Sequence, residues 1–235
     1  LEGPVEITVL CPSRGNPEAL REAWLSFHDT TMEKSSIFVG VLDDDDPSLK
    51  DYVAMAEDTI DLRIDLVPRD KSGTMNKALN YAAMRWVKRS NVLGFIGDDH
   101  RFRTKGWDRV IGQVMSDTGG GFVYGDDLYM HDHLPTAVFI SGKIVEALGW
   151  FGPPNCKHLY LDNTWKTLGD ATGSLYYLPD VIIEHMHPIA GKGEWDANHL
   201  RVNTDEMYNH DRAAYDEWFA GQRHLDIEVV RKALE

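Results

Sequence analysis

The feature that most constrains this chain is an alternation in its first hundred residues. Residues 5–11 (VEITVLC), 37–42 (IFVGVL), 62–67 (LRIDLV) and 91–97 (NVLGFIG) are short apolar runs of strand length. Stretches of helical period lie between them. Leu20, Ala23, Trp24 and Phe27 follow an Asn16-Pro17 start, and Met75, Ala78, Leu79, Ala82, Ala83, Trp86 and Val87 follow Ser72 or Thr74. A polar residue before the first turn, and proline inside it, are ordinary helix openers. Strands separated by amphipathic helices predict an α/β fold: a Rossmann-like, mostly parallel central sheet flanked by helices. Ligands of such sheets bind beyond the carboxyl ends of the strands. The turn at 12–15, the aspartates at 43–46 and Asp98-Asp99-His100 each follow a strand, so three polar clusters are expected on one edge.

The second half is less regular. Strands are expected at 121–124 and 136–140, then a short helix capped by Ser141 and ended by Gly149. Asp162 begins another short helix, with Leu161, Trp165 and Leu168 on one face and Gly169 after it. Residues 175–184 read as one or two strands broken near Pro179, leading into His185-Met186-His187-Pro188. Residues 190–198 look like a mobile glycine-rich loop, and helices are expected near 205–219 and 227–234. With 235 residues and 43% hydrophobic content, one full core is accounted for. We expect a single domain over 1–235: a nucleotide-binding half (5–110), an acceptor-side half (111–190), and a loop with C-terminal helices (191–235).

A net charge of −14 disfavours non-specific binding to nucleic acid or anionic membrane. No apolar run approaches the about 20 residues that span a bilayer. Cys11 and Cys156 have neither metal nor disulfide spacing and read as buried, reduced thiols, which fits a cytoplasmic setting.

Two carboxylates and an imidazole directly after a buried strand are costly to desolvate unless a cation or donors offset them. Asp98-Asp99-His100 is therefore either a divalent-metal site or a solvated acidic turn. His185 or His187 completes such a site, or the pair belongs to an ordinary loop. HxH also occurs in amidohydrolase metal sites, but there it opens a (β/α)₈ barrel, and this chain is too short for one. Asp43 and Asp44 lie where a carboxylate accepts a hydrogen bond from a base or ribose. Arg69, Lys71 and Lys77 surround the Gly73 turn at a helix N-terminus, a setting that favours a diphosphate. Asp162 is either a helix cap or a general base.

Taken in order, these segments resemble the GT-A fold, and within it the family-2 type of inverting glycosyltransferases, over about residues 5–188. TVLCPSRGNPEAL is similar to that family's first strand and nucleotide-binding turn, which implies that Pro12, Ser13 and Arg14 lie along the nucleoside. VLDDDDP resembles the acidic motif that contacts the base, pointing to Asp43 or Asp44. RDKSGTMNKALNYA resembles the segment beside the diphosphate and implies roles for Gly73 and Asn76, with Lys71 nearby. GFIGDDHRFRTKGWD resembles the metal-binding DxD region, although His100 stands in the third place, so Asp99 is the first choice of ligand, with Asp98 beside the donor. LYLDNTWKTLG resembles the acceptor-side motif and puts Asp162 at the catalytic-base position; Leu161 stands where the family often has Glu. HMHP is like the late metal-binding histidine of many GT-A enzymes.

The resemblance implies a nucleoside diphosphate sugar donor, UDP-linked by default, and Mn²⁺ or Mg²⁺ as cofactor. The compact form also resembles glycosyltransferases encoded by bacteriophages, whose setting is the host cytoplasm. It leaves the acceptor open among a modified DNA base, Ser/Thr of a virion protein and a glycan. A DNA acceptor needs a basic groove, which Arg101, Arg103, Lys105 and Arg109 could supply. Two alternatives stay in view: a non-catalytic nucleotide-sugar or glycan-binding module, and a sugar nucleotidyltransferase, for which CPSRGNP is a poor triphosphate loop. A dinucleotide oxidoreductase lacks its GxGxxG after the first strand.

Overall fold

The computed structural model describes residues 5–59, 61–71, 73–192, 195 and 197–235, the last without the side chains of 197–199. The first half follows the alternation: β1 (Ile7–Pro12), α1 (Pro17–Thr30), β2 (Ile37–Asp43), α2 (Leu49–Glu57), β3 (Leu62–Val67), α3 (Met75–Trp86) and β4 (Val92–Phe95). Asn16 caps α1 by accepting from the Ala19 amide at 3.3 Å, and Thr74 caps α3 through the Lys77 amide at 3.3 Å; the other expected opener, Ser72, lies outside the described residues. The chain continues through β5 (His100–Phe102), α4 (Trp107–Thr118), β6 (Phe122–Asp126), β7 (Val138–Ser141), α5 (Gly142–Leu148), α6 (Leu161–Thr172), β8 (Leu175–His185), α7 (Ala197–Val202), α8 (Asp205–Ala220) and α9 (Arg223–Leu234).

One eight-stranded sheet runs in the order β3-β2-β1-β4-β7-β6-β8-β5 among the described residues. Pairing is parallel from β3 to β4. It then reverses: β7 is antiparallel to β4 and to β6, β8 is parallel to β6, and β5 is antiparallel to β8. The expected mostly parallel sheet thus holds for the first half, and the whole sheet is mixed. Both faces are covered. Leu10, Val41, Leu79, Phe151 and Trp165 share one core, and Val9, Cys11, Phe27, Trp107 and Phe139 share the other. Alternate residues of β1 therefore point into opposite cores, as the period of two requires. The helix beginning near Asp162 is longer than expected. Gly169 lies inside α6, which ends before Gly173; the glycine serves packing there and not helix termination, since a Cβ would come 2.8 Å from the Leu175 side chain.

The break expected at Pro179 is a bulge within one strand. Gly125 pairs with Leu178, but the next residue, Asp126, pairs with Ile182. Proline cannot donate to the ladder, so three residues loop out and the strand resumes on a new bearing. That re-aimed end carries His185. Gly125 faces the bulge so closely that a Cβ would lie 2.2 Å from the Val181 carbonyl oxygen. Gly125→Ala is therefore expected to destabilise the fold by about 3 kcal/mol, since backbone on both sides must shift. Urea unfolding of the variant checks this, and an unchanged midpoint would show that the bulge yields freely.

Candidate active site

The carboxyl ends of β1, β2 and β4 open into a cleft of about 290 Å³. Its far wall is made by residues 158–162, and His185 and His187 reach in from the end of β8. Of the expected donor-side residues, Pro12, Ser13, Arg14, Asp43, Gly73 and Asp98 line it. Asp44 does not: its carboxylate accepts from the Arg69 amide at 2.9 Å, outside the cleft. Lys71 is exposed beside Asp70, and the cation that lines the cleft from that turn is Arg69. Asn76 is fully buried behind the wall. Its side-chain amide donates to the Pro153 carbonyl at 2.6 Å and the Cys156 carbonyl at 2.9 Å.

Hydrogen bonds between polar side chains tie this end of the cleft together. Asp43 Oδ2 accepts from Arg14 and Arg69, each at 2.8 Å. Its Oδ1 is buried and has no hydrogen-bond partner among the described residues. Ser13 donates to Asp98 Oδ2 at 2.5 Å, and its hydroxyl is held at 2.8 Å by Tyr52 of α2. Burial pushes the Tyr52 phenol up, so it stays neutral.

The acidic turn and the late histidines meet through β5, a strand too short to be read in the sequence. Its pairing sets His100 directly opposite His185, and the rings stack at 4.1 Å with a 17° interplanar angle. Asp99, His100 and His185 bring ligand atoms within 4.8 Å of one another, the one such cluster among the described residues. Asp99 Oδ2 is 3.0 Å from His185 Nε2. His187 lines the same cleft, but its Nδ1 accepts from the Ile189 amide at 3.2 Å and it stands outside the triplet. Gly97 makes the approach possible, because a Cβ there would clash with Asp99 Oδ1 at 2.4 Å.

The donor set fits a divalent cation. Burial, with His185 alongside, lowers the His100 pKa and keeps its ring neutral with one proton. Its Nδ1 accepts from the Gly97 amide at 3.1 Å yet lies 3.2 Å from Asp99 Oδ1. With the proton on Nε2, a buried donor has no partner among the described residues and two acceptors face each other. With it on Nδ1, the Gly97 amide is opposed instead. A cation between carboxylate and imidazoles relieves this conflict. Burial works against a charge on His185, but Asp127 and Asp99 outweigh it and lift the ring to about 9. Asp127, not anticipated from sequence, has one oxygen 3.8 Å from His185 Nδ1. It is fixed there by the amides of Tyr129, Met130 and His131 and by the Thr136 hydroxyl.

Across the cleft, Asp162 occupies the second position of α6. The residue before the helix, Tyr160, is left-handed at φ 63°. Burial pushes the Asp162 carboxyl up to about 6, partly offset by the Asn163 amide. Of the four residues considered for a basic groove, the three arginines are paired: Arg101 with Glu22, Arg103 with Glu184 and Arg109 with Glu33. The expected loop at 190–198 falls partly outside the described residues, and its end is helical, since α7 begins at Ala197. Of those described, Lys192 bonds to Glu184 at 3.0 Å, and the Trp195 ring stands edge-on to His187 at 6.0 Å.

This arrangement defines a GT-A glycosyltransferase fold with a cleft at the strand ends. Particular solved structures share it. The mannosyltransferase PcManGT from Pyrobaculum calidifontis, in complex with GDP-Man and Mn²⁺, is 14% identical, with a TM-score of 0.61 over 99% of this chain and 74% of its own. TarS 1-349 of S. aureus, in complex with UDP-GlcNAc, is 12% identical, with a TM-score of 0.63 over 97% and 71%. Glucosyl-3-phosphoglycerate synthase from Mycobacterium tuberculosis, in complex with Mn²⁺, UDP and phosphoglyceric acid, is 10% identical, with a TM-score of 0.59 over 90% and 77%. No protein-family model matches the chain, and no curated protein sequence matches it. Among the described residues, no helix is long and apolar enough to cross a membrane.

Proposed function

We propose that this protein is a metal-dependent, inverting glycosyltransferase that moves a sugar from a nucleoside diphosphate sugar to an acceptor hydroxyl. One observation carries the reading: a carboxylate–imidazole cluster suited to a cation and a carboxyl with a raised pKa line the same cleft. Asp99 and His185, with His100 or His187, would hold Mn²⁺ or Mg²⁺; the mixed oxygen and nitrogen donors favour Mn²⁺. When bound, the cation neutralises charge on the leaving diphosphate. Pro12, Ser13 and Arg14 flank the nucleoside. Among the described residues Asp43 Oδ1 has no partner, and a ring N–H of the base, which uracil, thymine and guanine have and cytosine and adenine lack, would supply its donor. Gly73 and the N-terminus of α3 face the diphosphate. Asp162 takes the proton of the acceptor hydroxyl as that oxygen attacks the anomeric carbon from the side opposite the diphosphate, which inverts the configuration. A duplex DNA acceptor is disfavoured, because the arginines that would track phosphates are already paired with glutamates.

Thermal shift and calorimetry with UDP, GDP, CDP, ADP and TDP, each with Mn²⁺ and with EDTA, test the reading. The expected result is stabilisation by UDP, TDP or GDP that requires Mn²⁺; at 100 times Kd it amounts to about 2.7 kcal/mol. No response to any nucleotide would overturn the donor site. Binding of donor with no turnover of any acceptor, or of water, would favour a non-catalytic module.

A further inference from the structure

The C-terminal helices carry none of the residues assigned above, yet one of them holds the acceptor wall. Asp211 of α8 is fully buried, and its carboxylate accepts three consecutive backbone amides: Lys157 at 2.9 Å, His158 at 2.8 Å and Leu159 at 2.7 Å. Successive amides converging on one anion form a charge-assisted clamp. Burial opposes a charge on Asp211, but these donors and His210 outweigh it and keep the carboxyl below its ordinary range. One turn further along α8, Tyr215 stacks on Tyr160 at 5.5 Å and its hydroxyl meets that of Thr167 at 2.9 Å. The opposite side of the same segment is pinned by Asn76, whose amide nitrogen donates to the Lys157 carbonyl at 3.0 Å.

The segment so held ends at Tyr160 and Asp162. A tyrosine keeps a left-handed backbone only when its surroundings impose it. The clamp at 157–159 and the stacked ring are those surroundings, and His158, Leu159, Tyr160 and Asp162 all line the cleft. We propose that Asp211 is a positioning residue for the acceptor side, and that α8 sets where Asp162 stands. This deepens the transferase reading and takes its catalytic meaning from it.

The test compares wild type with Asp211→Asn, which keeps the shape and removes the charge. Amide exchange at Lys157–Leu159 is expected to rise at least about tenfold while β1 and β4 stay protected. The Asp162 carboxyl, followed by NMR, is expected to titrate at least about one pH unit lower as its wall loosens and water enters. Affinity for UDP or GDP with Mn²⁺ should stay within about twofold, and turnover of the donor should fall by about tenfold or more. Tyr215→Leu should move the same quantities in the same direction, and it decides the question if Asp211→Asn does not fold. An unchanged Asp162 titration with the amides opened would overturn the proposal, as would nucleotide affinity falling in parallel with turnover. Exchange and titration are read without ligand. A wild-type protein that binds no nucleotide would therefore remove the transferase reading and leave the role of Asp211 to those two measurements.

Discussion

Asp162→Asn is expected to lower sugar transfer by about a thousandfold while leaving Mn²⁺-dependent nucleotide binding within about twofold. Asparagine keeps the oxygen that accepts from the Asn163 amide, so the start of α6 is undisturbed. What disappears is the proton acceptor. In the proposed mechanism only the ionised carboxyl, whose pKa burial raises to about 6, accepts the proton. The rate should therefore rise tenfold per pH unit below 6 and level off above it. The same shift has a stability consequence of defined sign. The folded pKa lies above the ordinary carboxylate value of 3.8, so the folded state binds the proton more tightly than the unfolded one. Ionising Asp162 then costs the fold nothing below about pH 4 and about 3 kcal/mol above pH 6. The inactive Asn variant should thus be more stable than wild type at pH 8 and equal to it at pH 3.5. A variant that retains full activity would show that Asp162 is not the base. One that is less stable at pH 8 would show that its burial is not what raises the pKa.

The second large effect concerns the metal. Asp99→Ala should weaken Mn²⁺ binding by more than about a hundredfold, beyond the 10–100-fold cost of losing an outer partner. Removing Asp99 also takes away one of the two carboxylates that lift the His185 pKa to about 9. In wild type without metal, His185 therefore carries a proton at neutral pH, and a cation that takes its ring nitrogen must displace it. Apparent Mn²⁺ affinity should climb about tenfold per pH unit between 6.5 and 8.5, with close to one proton released at pH 7.5. Calorimetry in buffers of different ionisation enthalpy measures that proton directly. Affinity independent of pH would mean that His185 is not a ligand.

The periodicity of the first hundred residues gave away β1 to β4, α1 and α3, because each element there buries a face whose spacing is local. The clusters that end those strands were legible for the same reason: a parallel arrangement puts consecutive strand ends on one edge, and Ser13, Asp43 and Asp98 line the cleft there. Asn76 shows where such reading stops. Its place in sequence beside Gly73 suggests the diphosphate, but its position on α3 turns it inward, to the carbonyls of Pro153 and Cys156.

What the sequence by itself determined is the set of chemical groups and the half of the sheet that follows a local period. Tertiary structure decided which groups meet. His100 reaches His185 only because three residues pair as β5 across the sheet and a bulge at Pro179 re-aims the end of β8. Asp127 comes behind His185, and Asp211 behind the wall of Asp162, over 58 and 49 residues of chain. Contacts at such separations leave no period in a sequence, because they depend on how whole strands and helices are placed and not on the turn-by-turn geometry of any one of them.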